Sequence, residues 1–557
     1  MGNNKIIKGL FIFIVIVLTV VLRVLYVDCD FWYDEACSWF SAIQKFPVGI
    51  MNNLMTLDMQ HTPLYFFLLH FWIKIFGDGE IAIRSLSVIF GILTVPVVFV
   101  AASKITNKTN SVIACMISAV SPLLVFFSAE ARMYPMAVFL VMLSLNYLID
   151  FEQKNDKKSL IKLVLVNLLI PYTLVGGILY NIALAVCYGN YLFRKNKDVL
   201  KLYLKGVFAE LILLVPYFLL VSYYAKMRSA FVIRHEGGFF FTHFVDVIRN
   251  FFGIELVDNI YWPSTYPYTM NLEFTLLVVV PCVYFVYGLV QGCKNSEGFL
   301  KTLYHTFFVS LALSVTFAML HVNVFTVRYI LYLLPPMIIL GVIGLSKRIS
   351  LNHLKAFVVF YTLGAIICGI HYTNISKDLK TIAYKAVRIE ADKNGLNEED
   401  IIILPFGGDA PYYFRQDGSP RVLPFDYHKQ ARNPKNNNFY DVEQQNNPDK
   451  DRVIYDSIFS DKGFSDNHYE YFQKNVIEAV KPGRYVLIAL YGTDAQQLVT
   501  LEELRKSVTS LQDIKEQRVK ILLQKYLYDI RAYLDNDFYF LGNYTQDNYT
   551  YLLFQKR

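Results

Sequence analysis

Long, sparsely charged apolar runs limit what this chain can fold into more than any other feature. Residues 6–27, 82–103, 110–128, 273–292, 302–320, 329–346 and 354–372 each come close to the length of apolar chain that crosses a bilayer as a helix, about 20 residues. Lipid offers the backbone no hydrogen-bond partner, so a run of this kind spans as a helix. Composition agrees: 55% of residues are hydrophobic and 18% charged, against about 25% charged for a soluble chain, and mean hydropathy is +0.35. The reading is an α-helical polytopic membrane protein. Seven cysteines in 557 residues do not make a disulfide scaffold. The net charge of +7 fits loop charge facing anionic lipid and leaves no nucleic-acid footprint.

Basic residues order the spans. The N-terminus combines Lys5 and Lys8 with a spanning run and no small-x-small cleavage site, which predicts a retained first helix that starts inside. The next basic cluster, Lys104 and Lys108, makes 28–81 a long external segment. Within it 61–77 is apolar but short, and reads as interfacial or re-entrant. Further helices follow at 134–150, near 160–176 and 178–193, and at 203–224. The sum is about eleven spans over 1–372, with the N-terminus inside and the C-terminus outside. Composition changes after 372. Residues 376–395 read as an amphipathic helix with a Gly stop, and "DIIILP" (400–405), "RYVLIALYG" (484–492) and 538–554 as strands. Residues 505–535 look helical and 433–451 form a polar loop. Residues 373–557 therefore predict an extracytoplasmic α/β domain.

This topology puts three polar features on one face: Asp34–Glu35 in the first external loop, Glu130 and Arg132 after the third helix, and Arg328–Tyr329 before the tenth, preceded by His321. Any one of them alone reads as interfacial solvation. Three together, with both signs of charge, read as a shared site. A carboxylate there can deprotonate a hydroxyl, and arginines can hold a phosphate through paired N–H donors and stabilise it as a leaving group. No phosphate loop or dinucleotide fingerprint is present. An activated donor at that face would have to be lipid-linked, which suits transfer of a sugar from a polyprenyl phosphate.

At these residues the sequence resembles the GT-C membrane glycosyltransferases, most nearly the bacterial branch related to protein O-mannosyltransferases and lipid A aminoarabinose transferases. The resemblance rests on "FWYDEACSW", on "HTPLYFFLLHFWIKIFGDGEIAIRSLSVIFGILTVPVVF", on "SPLLVFFSAEARMY" and on "VRYILYLLPP", in order over residues 1 to about 372. It implies inverting transfer to an acceptor on the outer face of the cytoplasmic membrane. Asp34 falls on the catalytic base, with Glu35 supporting it. Arg132, Arg328 and Tyr329 fall on the donor phosphate, and His61 and Glu130 on the acceptor cavity. Arg84 either faces that cavity or meets lipid headgroups. Two departures stand out. Thr62 replaces a Pro, and Leu174 stands where family members often carry a His, which puts any role of that His in doubt.

Other residues read more plainly. Asp28 and Asp30 suit the polar edge of the first helix. Cys29 and Cys37 either pair across the loop or stay as two thiols. His61, His235 and His321 have no zinc-type spacing, although a divalent ion bridging carboxylates and phosphate stays open. Residues 233–241 form either a lid or a connector. The rival class is a transporter or flippase for a lipid-linked or anionic substrate. Transporters, however, tend to show internal repeats and charges near the midplane, and here the charges gather at helix ends.

Overall fold

The computed structural model describes residues 2–25, 27, 31, 33–56, 61–228, 272–320, 324–380, 385–404, 410–424, 473–491, 534–546 and 549–557, with a few isolated positions besides. It divides into two compact units, Met1–Cys29 with Cys37–Asp378, and Asp30–Ala36 with Leu379–Arg557. Asp28, Cys29, Asp30, His235, His321, the stretches 233–241 and 433–451, and most of 505–535 lie outside the described residues.

The first unit is helical: α1 (Gly2–Leu25), α2 (Tyr33–Ala42), α3 (Val48–Thr56), α4 (Leu64–Phe76), α5 (Glu80–Ile105), α6 (Lys108–Val120), α7 (Pro122–Ser128), α8 (Tyr134–Lys154), α9 (Lys157–Thr173), α10 (Ile178–Lys195), α11 (Lys197–Leu213) and α12 (Val215–Arg228). It continues through α13 (Leu272–Lys294), α14 (Gly298–Met319), α15 (Val327–Ile330), α16 (Leu334–Ser346) and α17 (Leu351–Lys380). The first four residues of α2 and the last two of α17 belong to the other unit. Every apolar segment expected to span coincides with a helix or a broken helix. Among the described residues six helices are long and apolar enough to cross a membrane, or up to eight if each bent pair is one span. Eleven spans therefore stays an expectation of the sequence.

Local chemistry sets the helix ends and breaks. The side chains of Asn107, Asp156 and Asn196 accept backbone N–H groups at the starts of α6, α9 and α11, which satisfies donors a helix start leaves open. These starts sit beside the basic loops. There Lys104 meets Asp150 at 2.8 Å, and Glu152 accepts from Tyr188, Tyr191 and Lys195. The bend of 52° between α6 and α7 falls at Ser121–Pro122. Pro122 has no N–H to give the carbonyl of Ser118. Arg23, fully buried on α1, donates to that carbonyl at 3.4 Å and to that of Ala119 at 2.9 Å. The guanidinium thus does the work of the missing helical donors.

The 28–81 segment is more regular than the sequence suggested. Residues 33–42 and 48–56 are helical, and Asp34 and Glu35 lie in the first turn of α2 where the sequence suggested a loop. No Gly or Pro interrupts 33–42, and two carboxylates in a first turn complement the helix dipole. The expected short element at 61–77 is α4, too short to cross, ending at Gly77 with φ +84°.

Close packing of α13 on α16 depends on small residues, as it does widely in membrane helices. A Cβ on Gly344 would come within 1.8 Å of the Gly288 carbonyl oxygen, and one on Gly288 within 2.4 Å of that of Gly341. Gly344→Ala is therefore expected to lower the thermal midpoint of the detergent-solubilised protein, by an overpacking cost of about 1–3 kcal/mol or more. Gly189→Ala, with nothing near its Cβ, should leave the midpoint unchanged. Equal midpoints for both variants would contradict this packing.

In the second unit, β1 (Ile401–Leu404), β2 (Arg421–Pro424), β3 (Tyr485–Tyr491), β4 (Phe538–Gln546) and β5 (Tyr549–Lys556) form one sheet of order β2-β1-β3-β5-β4. β1 pairs in parallel with β2 and β3, and β5 pairs antiparallel with β3 and β4. β1 is an uninterrupted "IIIL", buried throughout, as a central parallel strand requires. Two helices belong to this unit, α18 (Lys385–Lys393) and the one-turn α19 (Ala410–Tyr413). Buried Asp400 accepts from the backbone N–H of Asn397 and Tyr485 and from Arg484, tying the start of β1 to that of β3. Buried Glu390 on α18 accepts from Tyr544 of β4 at 2.7 Å.

Candidate active site

The centre of the polar constellation in the helical unit is Arg132, in the short connection between α7 and α8. Its backbone is held at both ends. The Arg132 N–H donates to the Glu130 carbonyl at 2.7 Å, and the Arg132 carbonyl accepts from Ser87 Oγ of α5 at 2.9 Å. Ser87 Oγ lies 2.9 Å from Tyr65 Oη of α4. The side chain is 1% exposed. Nη1 donates to Ser38 Oγ of α2 at 3.0 Å, and Nη2 lies 2.6 Å from His61 Nε2. An arginine has only donors, so His61 Nε2 must be the acceptor, and the ring is the neutral tautomer with its proton on Nδ1. Tyr224 of α12 fixes His61 from behind by donating to its carbonyl at 2.8 Å.

Electrostatics agree with that protonation state. Burial first, and then the charges of Arg132 and Arg328, push the His61 pKa well below its ordinary value. The sign for stability follows. An unfolded His61 takes up a proton near pH 6.5 and the native one refuses it. The contribution is whole above about pH 6.5 and is lost as pH falls below it, by about 1.4 kcal/mol per pH unit for one proton. Thermal melting at pH 7.5 and 5.5 should show a drop at the lower pH that shrinks in His61→Gln, which keeps an acceptor for Arg132. An unchanged drop in that variant would contradict the assignment.

The remaining predicted residues fall into place around this centre or apart from it. Glu130 is buried two residues before Arg132. Tyr329 is buried, with its ring 6.1 Å from that of Tyr134 at the start of α8. Arg328 is half-buried, with its guanidinium 5.4 Å from the Tyr329 ring centroid. Arg84 is fully buried in α5 and donates to the Val27 carbonyl at 2.8 Å. Asp34 is half-buried and Glu35 fully buried in the first turn of α2, in the segment that groups with the C-terminal unit. Ser38 lies four residues, one helical turn, beyond Asp34 on the same helix.

The sequence reading missed Ser38, Tyr65, Ser87 and Tyr224. Ser38 and Tyr65 stand inside the motifs "DEACSW" and "HTPLY", so helical spacing from Asp34 and His61 could have raised them. Ser87 and Tyr224 carry no signal of their own in one sequence. Among the described residues no three His, Cys, Asp or Glu side chains converge as a metal-binding group.

Comparisons with known proteins bear on the fold. Residues 60–221 match the family model described as dolichyl-phosphate-mannose-protein mannosyltransferase. The structure is similar to that of ArnT from Cupriavidus metallidurans bound to undecaprenyl phosphate, with TM-score 0.51 and 11% identity, covering 99% of this chain and 98% of that one. Against apo ArnT from the same organism the TM-score is 0.53 at 10% identity, with the same coverage of both chains. A search of the curated proteins found no match.

Proposed function

We propose that this chain, which has the fold of the GT-C membrane glycosyltransferases, transfers a sugar from a polyprenyl-phosphate donor to an acceptor on the outer face of the cytoplasmic membrane. The N-terminus is then inside and the C-terminal domain outside. One observation carries the reading: a buried cationic knot, Arg132 with Ser38 and His61, is built from the segments whose motifs resemble that family. Its anchor Ser38 stands in the same sequence motif, "DEACSW", as the Asp34–Glu35 pair.

In the reaction Asp34 takes the proton of the acceptor hydroxyl. The acceptor oxygen forms a bond to the sugar's anomeric carbon from the face opposite the phosphate. The bond from that carbon to the phosphate oxygen breaks, polyprenyl phosphate leaves, and the anomeric configuration inverts. Asp34 is the more accessible of the two carboxylates, which suits a group that meets the acceptor. Glu35, wholly buried, supports the turn. Arg328, half-buried with its guanidinium over the Tyr329 ring, contacts the donor phosphate. Arg132, committed to Ser38 and His61, adds positive charge and holds the polar shell in place. A neutral His61 leaves that charge undiluted by a second cation. Glu130 lines the acceptor side, and Arg84 fixes α5 to the end of the first helix.

Mass spectrometry of envelope polymers, lipids and proteins from cells with and without the chain tests the reading. A missing hexose, pentose or aminosugar on one of these is the expected result and names donor and acceptor together. Identical sugar profiles would overturn it.

A further inference from the structure

The segment Asp30–Ala36, which carries Asp34 and Glu35, belongs to the unit of the C-terminal sheet domain although more than 340 residues of chain separate them. The cause is visible at Phe31 and α19. The Phe31 N–H donates to Tyr413 Oη at 2.7 Å, and the Phe31 ring lies 4.5 Å from that of Tyr412. Phe31 is 0% exposed and Tyr412 3%. On Tyr412 sits the guanidinium of Arg415, 4.0 Å from the ring centroid, with Nη1 donating to the Tyr412 carbonyl at 2.6 Å. The Tyr412 and Tyr413 rings meet edge to face at 5.1 Å. The Phe31 ring, tilted at 41° to that of Tyr412, and the Arg415 guanidinium thus pack against Tyr412, and a hydrogen bond fixes the backbone three residues before Asp34.

We propose that Tyr412 and Tyr413 are positioning residues that clamp the entry of α2 and so set the orientation of Asp34, which makes the C-terminal domain a working part of the transferase. The inference rests on the function proposed above, because a clamp on Asp34 matters to transfer only if Asp34 is the base. The physical logic is that of a helix entry. Asp34 lies in the first turn of α2, where backbone hydrogen bonds are fewest and fraying is easiest. Phe31 pinned by a tilted ring contact and a backbone hydrogen bond removes that freedom. A base that must reach a hydroxyl within hydrogen-bond distance gains directly from a fixed backbone.

The test uses the full-length protein in nanodiscs. Hydrogen–deuterium exchange of the peptide spanning 31–42 is compared in wild type, Tyr413→Phe, Tyr412→Phe, and a double Tyr412→Ala/Tyr413→Phe variant, with the β3 and β5 amides as folding controls. Exchange in 31–42 should quicken roughly tenfold in the double variant, as for the loss of one hydrogen bond and one aromatic pair. Tyr412→Phe should stay close to wild type, because it keeps the ring contact. Transfer from undecaprenyl-phosphate-linked hexose, pentose and aminosugar donors is measured beside it, with Asp34→Asn in parallel. The clamp predicts a lower kcat with donor KM nearly unchanged in the double variant, rescued when Phe stands at 412. Unchanged exchange in 31–42 overturns the clamp even if Asp34→Asn abolishes transfer. Faster exchange together with full transfer by Asp34→Asn overturns the proposed role of Asp34 and leaves only a structural anchor.

Discussion

Asp34→Asn is expected to lower the rate of sugar transfer by about 10²–10⁴-fold, the usual contribution of a positioned general base. Asn matches Asp in size and can hydrogen-bond at the same place, but it cannot take the acceptor's proton. The residue is half-buried in the first turn of α2, so the substitution should cost little stability. Loss of transfer with an unchanged thermal midpoint is the expected pair of results. Glu35→Gln should behave differently. Glu35 is wholly buried, so its loss should register in the midpoint as well as in the rate. Were Asp34→Asn to transfer at the wild-type rate, the base would have to lie elsewhere.

Arg132→Ala carries the second large effect, and here stability and activity should fall together. The guanidinium is 1% exposed and serves Ser38 and His61 at once. Hydrogen bonds that involve a charged group are worth about 1.5–3 kcal/mol each, and a buried site has little water to replace them. The variant should lose several degrees of thermal midpoint in detergent and nearly all transfer. Arg132→Lys separates charge from geometry. An ammonium keeps the positive charge but cannot reproduce a planar fork that reaches two acceptors on two different segments. It should recover part of the stability and little of the activity. An Arg132→Ala protein that melts like wild type would mean that the knot does not hold α2 to the His61 segment.

Much of the fold was legible because lipid and sheet interiors leave few options. Apolar runs of spanning length became helices, and the three strand segments read from β-rich runs became β1, β3 and the β4–β5 pair. What was missed has local causes. β2, "RVLP", is four residues long and ends in proline, too short for a periodic signal. α2 carries aromatics and paired carboxylates that read as a loop beside a membrane, whereas the same carboxylates favour a helix start. Within the candidate site the charged members were readable, because charge at membrane depth is rare. The hydroxyls that serve them were not: Ser38, Tyr65 and Ser87 look like ordinary helix residues until the chain brings them to Arg132. Arg23 was passed over for a related reason. At the end of the first apolar run it resembles a snorkelling cation, and only the bend at Pro122, nearly a hundred residues on, gives it carbonyls to cap. The tie between Phe31 and α19 spans 382 residues and leaves no trace in either local sequence.

In the proposed reaction a sugar moves off a polyprenyl phosphate with Asp34 as base. The most direct measurement incubates the purified protein in nanodiscs with undecaprenyl-phosphate-linked hexose, pentose and aminosugar donors and an envelope extract as the acceptor source. Release of undecaprenyl phosphate and the sugar's new linkage are followed by mass spectrometry and NMR. Release from one donor, matched by transfer with an inverted anomeric centre, is expected, and neither with Asp34→Asn. Donors left intact by the wild-type protein, or released equally by Asp34→Asn, would contradict it.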